Sequence, residues 1–392
     1  MKKLNVAVVG AGFMGKAHVV GYTNANKQFW PSEVIPVLKT VCDIEEDIAK
    51  DAKDRFGFEK YCTDWKDIVN DPEIDIISVC TPNNAHAEVS IAALEAGKHV
   101  ICEKPIASTA SDAKAMALAA EEAAKKGIIS MLGYQYRRVP ALVHAKNMIE
   151  NGDIGVVQNI RAEYLQSWSA DPNSPLSWRF SKDTAGAGTL GDIATHVIDI
   201  SQYLAGSEIS EVVSNMKTYI KERPVQEGGV DLLGTVKINE DAEKRPVDVD
   251  DEVLFLTKFK NGVVGSIEAT RNAWGRHNYI YIEVHGSKGS IVFNYERLNE
   301  LKVALASDPD DRRGFKTIYT GPATPYGDIT WNIPGMNIGY GELKTIEIND
   351  FLKAIAKEEQ PSTNFPVGYQ VDCVTAAVKK SAEDNTWVKV EE

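Results

Sequence analysis

The chain is 392 residues long, beyond the roughly 250–300 residues at which one hydrophobic core stops growing, so two domains are expected. Its 43% hydrophobic and 25% charged residues are those of a globular protein, and a net charge of -13 repels polyphosphate, which argues against nucleic acid as a partner. No apolar run approaches the roughly 18–20 residues of a membrane span, no secretory leader is visible, and five cysteines without CxxC spacing read as reduced thiols, so a cytoplasmic protein with no metal is expected.

β-Branched runs at residues 4–9, 38–42, 74–80, 99–102 and 128–132 alternate with helical stretches, the pattern of a parallel sheet joined by crossover helices. Helices are expected over residues 44–55, 83–96 and 108–126, with Gly97 and Gly127 stopping the last two. Residues 24–36, with Phe29, Trp30 and two prolines, read as an insertion between the first helix and the second strand. Beyond residue 133 the texture changes to Val, Ile, Tyr and Thr alternating with polar residues at 156–166, 251–260, 262–270, 278–285 and 290–293, which reads as antiparallel strands. Asn261-Gly262 marks a hairpin, and residues 228–247 read as an irregular, charged excursion. The expected fold is α/β, with a Rossmann doubly wound parallel sheet in residues 1–133 and an α+β domain in residues 134–392.

The first strand runs into Gly10-Ala11-Gly12-Phe13-Met14-Gly15 and then a helix, so a GxGxxG stands where a dinucleotide fingerprint needs it. Gly10 permits the tight turn, Gly12 lets a pyrophosphate approach the backbone, and Gly15 allows close helix packing, while the helix N-terminus offers N–H groups to phosphate. The second strand closes at Asp43, whose carboxylate suits the ribose hydroxyls of NAD and repels the 2′-phosphate of NADP. Asp43 lies 28 residues beyond Gly15, where about 20 is usual, and could equally cap the helix over 44–55.

Two further strand tips carry Thr81-Pro82-Asn83 with His86, and Glu103-Lys104-Pro105, at the carboxyl edge where open α/β sheets bind ligands. Lys104 in such a place can stabilise a developing alkoxide, although a lysine alone decides nothing. Further on, Gly191 opens an expected helix on which Asp192 and His196 stand four residues apart, an acid and an imidazole on one face. A neutral His196 can take a hydroxyl proton. The same spacing suits an N-cap aspartate and a core histidine.

Taken in order, Gly10-x-Gly12-x-x-Gly15, Thr81-Pro82-Asn83 with His86, Glu103-Lys104-Pro105 and Gly191-Asp192-x-x-x-His196 closely resemble the motifs of the Gfo/Idh/MocA oxidoreductases along the whole chain. The resemblance implies Lys104, Asp192 and His196 as catalytic residues, an oxidoreductase using NAD, and a large, mostly antiparallel open sheet in the second domain that builds homodimers or homotetramers. The expected cofactor contacts are Gly10, Gly12, Phe13, Met14, Gly15, Asp43, Thr81, Pro82, Asn83, His86, Glu103 and Lys104. Residues 133–138, 178–180 and 337–341 are similar to those of inositol and levoglucosan dehydrogenases. By that analogy Tyr136, Gln166, Trp178 and Arg179 border a sugar or cyclitol beside Lys104, Asp192 and His196, although Trp178 also suits core packing. The implied activity is oxidation of a secondary hydroxyl. A glycosidase working through transient C3 oxidation, or a dinucleotide-dependent sensor, are the alternatives.

Overall fold

The computed structural model describes residues 1–225, 242–327, 333 and 335–391. Strand β1 (Lys2–Val9) leads through the glycine turn into α1 (Phe13–Gln28). There follow β2 (Val34–Cys42), α2 (Glu46–Phe56), β3 (Lys60–Cys62), α3 (Trp65–Asn70), β4 (Ile76–Val79), α4 (His86–Glu95), β5 (His99–Cys102), α5 (Ala110–Ala124) and β6 (Ser130–Leu132). These strands form one parallel sheet in the order β3-β2-β1-β4-β5-β6. The winding reverses between β1 and β4, and a crevice opens at their carboxyl ends. Gly97 and Gly127 end their helices at φ +76°, as expected of left-handed stops.

The insertion expected at residues 24–36 is not one. It divides into the last turn of α1, a short connection and the first residues of β2, which accounts for the distance from Gly15 to Asp43. Pro36 sits inside β2, yet β3 pairs only with Thr40, Val41 and Cys42, so the start of the strand is an edge and loses no ladder bond there.

The second domain runs α6 (Pro140–Glu150), β7 (Val157–Leu165), α7 (Lys182–Ala185), α8 (Thr195–Ala205), β8 (Ile209–Lys217), β9 (Glu222–Pro224) and β10 (Lys244–Pro246). It continues with β11 (Glu252–Phe259), β12 (Val264–Thr270), β13 (Tyr279–Gly286), β14 (Gly289–Asn294), β15 (Glu300–Leu305) and β16 (Lys316–Tyr319), then α9 (Tyr340–Lys357), α10 (Phe365–Asp384) and β17 (Val388–Lys389). Most of the excursion expected at 228–247 lies outside the described residues. Its end pairs as β10 with β9 in a small ribbon. The main sheet has the order β16-β15-β14-β13-β7-β12-β11-β8-β17 and is antiparallel except where β7 meets β12. The hairpin expected at Asn261-Gly262 joins β11 to β12, with Gly262 at φ +89°.

Alternation sets the faces of this sheet. In β11, Val253, Phe255, Thr257 and Phe259 point inward while Leu254, Leu256 and Lys258 point outward. The inward face joins α6 and α8 in a cluster that continues without a break into α4, α5 and one face of the Rossmann sheet. The opposite Rossmann face is covered by α1 and α9, where Ile348, Phe351, Leu352 and Ile355 pack with Val6, Val8 and Tyr22. A Cβ at Gly21 would stand 2.7 Å from Ile348 Cγ1, so α1 and α9 meet at a close crossing. Helix α9 thus follows the second sheet in sequence but packs against the first. Among the described residues, no helix is long and apolar enough to cross a membrane.

Candidate active site

The three glycines of the fingerprint have three separate reasons. Gly10 sits at φ +96°, and a Cβ there would lie 2.5 Å from the Cys80 carbonyl oxygen. Gly15 would place a Cβ 2.1 Å from the Gly10 carbonyl oxygen. Gly12, by contrast, has nothing within 4 Å of that position, and it begins α1 with no side-chain cap. The open space in front of Gly12, the uncapped N–H groups and the buried, unpartnered Thr81 Oγ1 fit a bound pyrophosphate and nicotinamide riboside. Phe13 is 65% exposed beside this space, and Tyr340 at the start of α9 closes its far side, 5.9 Å from the Phe13 ring and donating to Met14 Sδ at 3.5 Å.

Asp43 lies next to this turn. Its Oδ2 accepts from Ala11 N at 2.9 Å and its Oδ1 from Glu45 N at 3.2 Å. It is not the cap of α2, whose N-cap is Glu45. The carboxylate is thus fixed by backbone amides at the tip of β2.

Not every expected cofactor residue faces the crevice. His86 is buried, with Nδ1 2.9 Å from the Pro105 carbonyl and Nε2 3.0 Å from the Thr81 carbonyl. Burial lowers its pKa against the pull of both carbonyls, so the neutral ring donates to one of them only, and both nitrogens face backbone oxygens and not the crevice. The side chain of Asn83, just after Pro82, donates to the Ala185 carbonyl at 2.9 Å, across to the second domain. Glu103 turns inward to His18 and Lys344, each 2.8 Å from its Oε1. These three shape the site from behind.

Lys104 points forward. Its Nζ donates to Asp192 Oδ1 at 3.2 Å and to the Asp192 carbonyl at 2.7 Å. The segment carrying Asp192 is not the ordinary helix start expected at Gly191. It is a π turn, Leu190–Ala194, that passes into α8 at Thr195. Asp250 builds that turn by accepting from Gly188 N at 2.8 Å and Leu190 N at 2.7 Å. Asp192 caps nothing; its second oxygen accepts from Arg271 Nη1 at 3.3 Å. Burial would raise the Asp192 carboxyl, but Lys104, Arg271 and Arg179 outweigh it and hold it well below the usual carboxylate range.

His196 follows on α8, 6% exposed, in an aromatic wall. The Tyr136 ring meets it edge-on at 4.7 Å and Tyr134 at 5.8 Å, and its Nδ1 is buried with no partner among the described residues. Burial first and Lys104 second push its pKa well below 6.5, against Glu103 and Asp192, so the ring is neutral at pH 7. The wall continues as a polar network. The Tyr136 and Tyr164 hydroxyls lie 3.0 Å apart, Tyr164 donates to Asn278 Oδ1 at 2.6 Å, and Gln166 Nε2 donates to the same oxygen at 2.9 Å. Trp168 Nε1 in turn donates to Gln166 Oε1 at 2.9 Å. Arg179 lies over the Trp178 ring at 4.3 Å, and Phe180, not Trp178, fills the core of that turn.

The structure therefore links Lys104, Asp192 and Arg179 by charge, and His196, Tyr136 and Gln166 through the aromatic and polar wall beside them. Sequence reading missed Tyr164, Trp168, Arg271 and Asn278. They sit at the ends of β7, β12 and β13, and the pairing of Leu165 with both Thr270 and Tyr279 brings those ends together. Strand alternation alone marks Tyr164 as inward-facing; nothing local marks Arg271.

Residues 4–131 match the family described as an oxidoreductase family with an NAD-binding Rossmann fold, and residues 142–292 match the GFO/IDH/MocA C-terminal domain. Levoglucosan dehydrogenase of Pseudarthrobacter phenanthrenivorans is 54% identical over 390 residues, covering 100% of this chain and 99% of that protein. Myo-inositol 2-dehydrogenase of Thermotoga maritima is 28% identical over 389 residues, covering 99% of each. Among solved structures, levoglucosan dehydrogenase in complex with NADH and levoglucosan superimposes with a TM-score of 0.93 at 52% identity over 100% of both chains. The chain belongs to the Gfo/Idh/MocA family of NAD-binding oxidoreductases.

Proposed function

We propose that this NAD-dependent dehydrogenase oxidises a secondary hydroxyl of levoglucosan or a closely similar anhydrosugar. The observation that carries the reading is the Lys104–Asp192 pair, with His196 one turn further along the same helical segment, in a chain 54% identical along its length to a levoglucosan dehydrogenase. A rigid pyranose has apolar C–H faces and a polar rim, which suit the Tyr136 and Trp178 rings and the Gln166, Asn278 and Arg179 polar groups.

When bound, the nicotinamide supplies the acceptor for the hydrogen and the electron pair that leave the substrate carbon. The remaining chemistry belongs to the side chains. Nδ1 of His196 is sealed in the aromatic wall, so Nε2 takes the hydroxyl proton. Lys104 Nζ donates to the substrate oxygen as charge develops on it, and Asp192, gripped from its other oxygen by Arg271, fixes the direction of that ammonium.

The outward face of the large sheet carries Leu254, Leu256, Val264 and the stacked rings of Tyr279 and Tyr281, which supports homodimers or homotetramers built through it. All five cysteines lie outside disulfides, which supports a reducing, cytoplasmic setting. The retained Lys104, Asp192 and His196 favour an enzyme over a sensor. The test is NADH formation by the purified chain with NAD and a panel of levoglucosan, inositols and hexoses. Levoglucosan is expected to give the highest kcat/KM. No turnover of any member by protein that binds NAD overturns the reading, and free sugar released from an aryl glycoside with catalytic NAD replaces it with the glycosidase.

A further inference from the structure

Behind Lys104 lies a second charged cluster that the chemistry above does not use. Lys344 on α9 is 1% exposed; its Nζ donates to Glu103 Oε1 at 2.8 Å and Glu347 Oε2 at 2.5 Å and lies 3.5 Å from His18 Nε2. His18, on α1 just past the glycine turn, also meets Glu103 Oε1 at 2.8 Å. Arg138 extends the cluster, with Nη1 3.8 Å from Glu347 Oε1 and Nε donating to Asp350 Oδ2 at 3.1 Å. Glycine makes the room, since a Cβ at Gly133 would stand 2.8 Å from Glu103 Oε1. Buried ion clusters are poor sources of stability compared with apolar packing. The position of this one is informative, because it joins the dinucleotide helix, the residue before Lys104 and α9.

We infer that Lys344 is a positioning residue for the oxidising centre: it pins Glu103, and with it the Lys104-Pro105 segment, and faces His18 across the same carboxylate oxygen. The inference rests on the reading of Lys104 as a catalytic residue. The charged groups acting on His18 are Lys344 and Glu347 from α9 and Glu103 from the loop after β5; Cys80 and Tyr22, which share those charges, are held neutral by burial. Burial first and Lys344 second lower the His18 pKa, against Glu103 and Glu347. The neutral ring donates its Nε2–H to Glu103, which leaves Nδ1 buried with no partner among the described residues. Glu103 is thereby held by the same donors throughout the working pH range.

Lys344→Met removes the ammonium and keeps the stem. Glu103 is then left with His18, which takes up a proton to form the missing ion pair. Relative to the unaltered chain, kcat of K344M is expected to fall about tenfold or more further at about pH 9 than at about pH 6, because His18 is neutral again at the higher pH. A purely structural role predicts the same loss at both. Ring 15N shifts of the holoenzyme provide a reading independent of turnover: His18 stays the neutral Nε2–H tautomer across that range and titrates only in K344M. A K344M enzyme with an unchanged pH profile, or a His18 that titrates at its ordinary value in the unaltered holoenzyme, overturns the inference. Because burial alone also keeps His18 neutral, the ring titration in K344M, or in Lys344→Gln should K344M not fold, is the deciding reading: a His18 that stays neutral there too overturns the inference, and either result leaves the assignment of Lys104 standing.

Discussion

Arg271, fully buried beneath Trp168 and Phe180, donates through Nη1 to Oδ2 of Asp192, the oxygen that Lys104 does not use. The carboxylate is thus fixed from both sides, by the lysine proposed as catalytic and by a buried arginine. Arg271→Met leaves Lys104 as the cation hydrogen-bonded to Asp192, with Arg179 acting only at longer range, and lets the carboxylate rotate with Lys104. A loss of about 10- to 100-fold in kcat/KM is expected, about 1.4–2.7 kcal/mol of transition-state stabilisation, with NAD affinity little changed. Steady-state kinetics with NAD and sugar varied separately provide the check, and an effect confined to KM for NAD would remove Arg271 from this role.

The pH profile follows from His196. Its pKa in the folded chain lies well below 6.5, so the base is already deprotonated where a free histidine would be half protonated. The acid limb of kcat/KM is therefore expected below about pH 6.5, with a flat profile from there through neutrality. The stability sign runs the same way. The unfolded chain takes up a proton near pH 6.5 that folded His196 refuses, so this group removes stability as pH falls through that value and contributes no pH dependence above it. An acid limb at or above pH 7 would falsify the neutral-base assignment.

How much of this was legible from the residues depended on whether the cause was local. The glycine turn was readable because each glycine answers a local backbone need, whereas Lys104 and the Asp192/His196 pair were ambiguous from spacing alone and took their roles from the family resemblance. Glu103 and His86 were read as cofactor contacts because their motifs place them at strand tips, but burial turns both onto protein partners. Strand β3 was illegible: it has three residues at an exposed edge, too few for a period to show. Arg271 and Asn278 were illegible for another reason, since the parallel pairing of β12 beside β7 is a tertiary choice that no window of sequence contains.

Asp43 carries two duties, and they separate on substitution. It accepts from Ala11 N and Glu45 N, so Asp43→Ala is expected to lower stability by about 1–2 kcal/mol through two unpaired amides. It also supplies the negative charge that disfavours a 2′-phosphate, so the preference of kcat/KM for NAD over NADP is expected to fall by at least about tenfold. Asp43→Asn retains an acceptor oxygen and restores much of the stability without restoring the preference. Thermal unfolding and paired kinetics with both dinucleotides measure the two effects; an unchanged preference in both variants would show that discrimination resides elsewhere.

Gly12 and Gly15 make a matched pair, because the same added methyl meets opposite surroundings. At Gly12 the backbone is at φ -71° and the new Cβ meets nothing within 4 Å, so Gly12→Ala is expected to fold with stability changed by no more than about 0.5 kcal/mol. Its methyl occupies the space into which the pyrophosphate fits, and the Kd for NADH is expected to rise about 10- to 100-fold. At Gly15 the Cβ would stand 2.1 Å from the Gly10 carbonyl oxygen. Helix α1 cannot retreat, because Gly21 already brings it against α9. Gly15→Ala is therefore expected to lose about 1–3 kcal/mol or more of stability, with weakened NADH binding following from the displaced turn. Calorimetry and NADH fluorescence titration on the two variants make the comparison. If Gly12→Ala bound NADH as tightly as the unaltered chain, the pyrophosphate would have to lie away from the glycine turn.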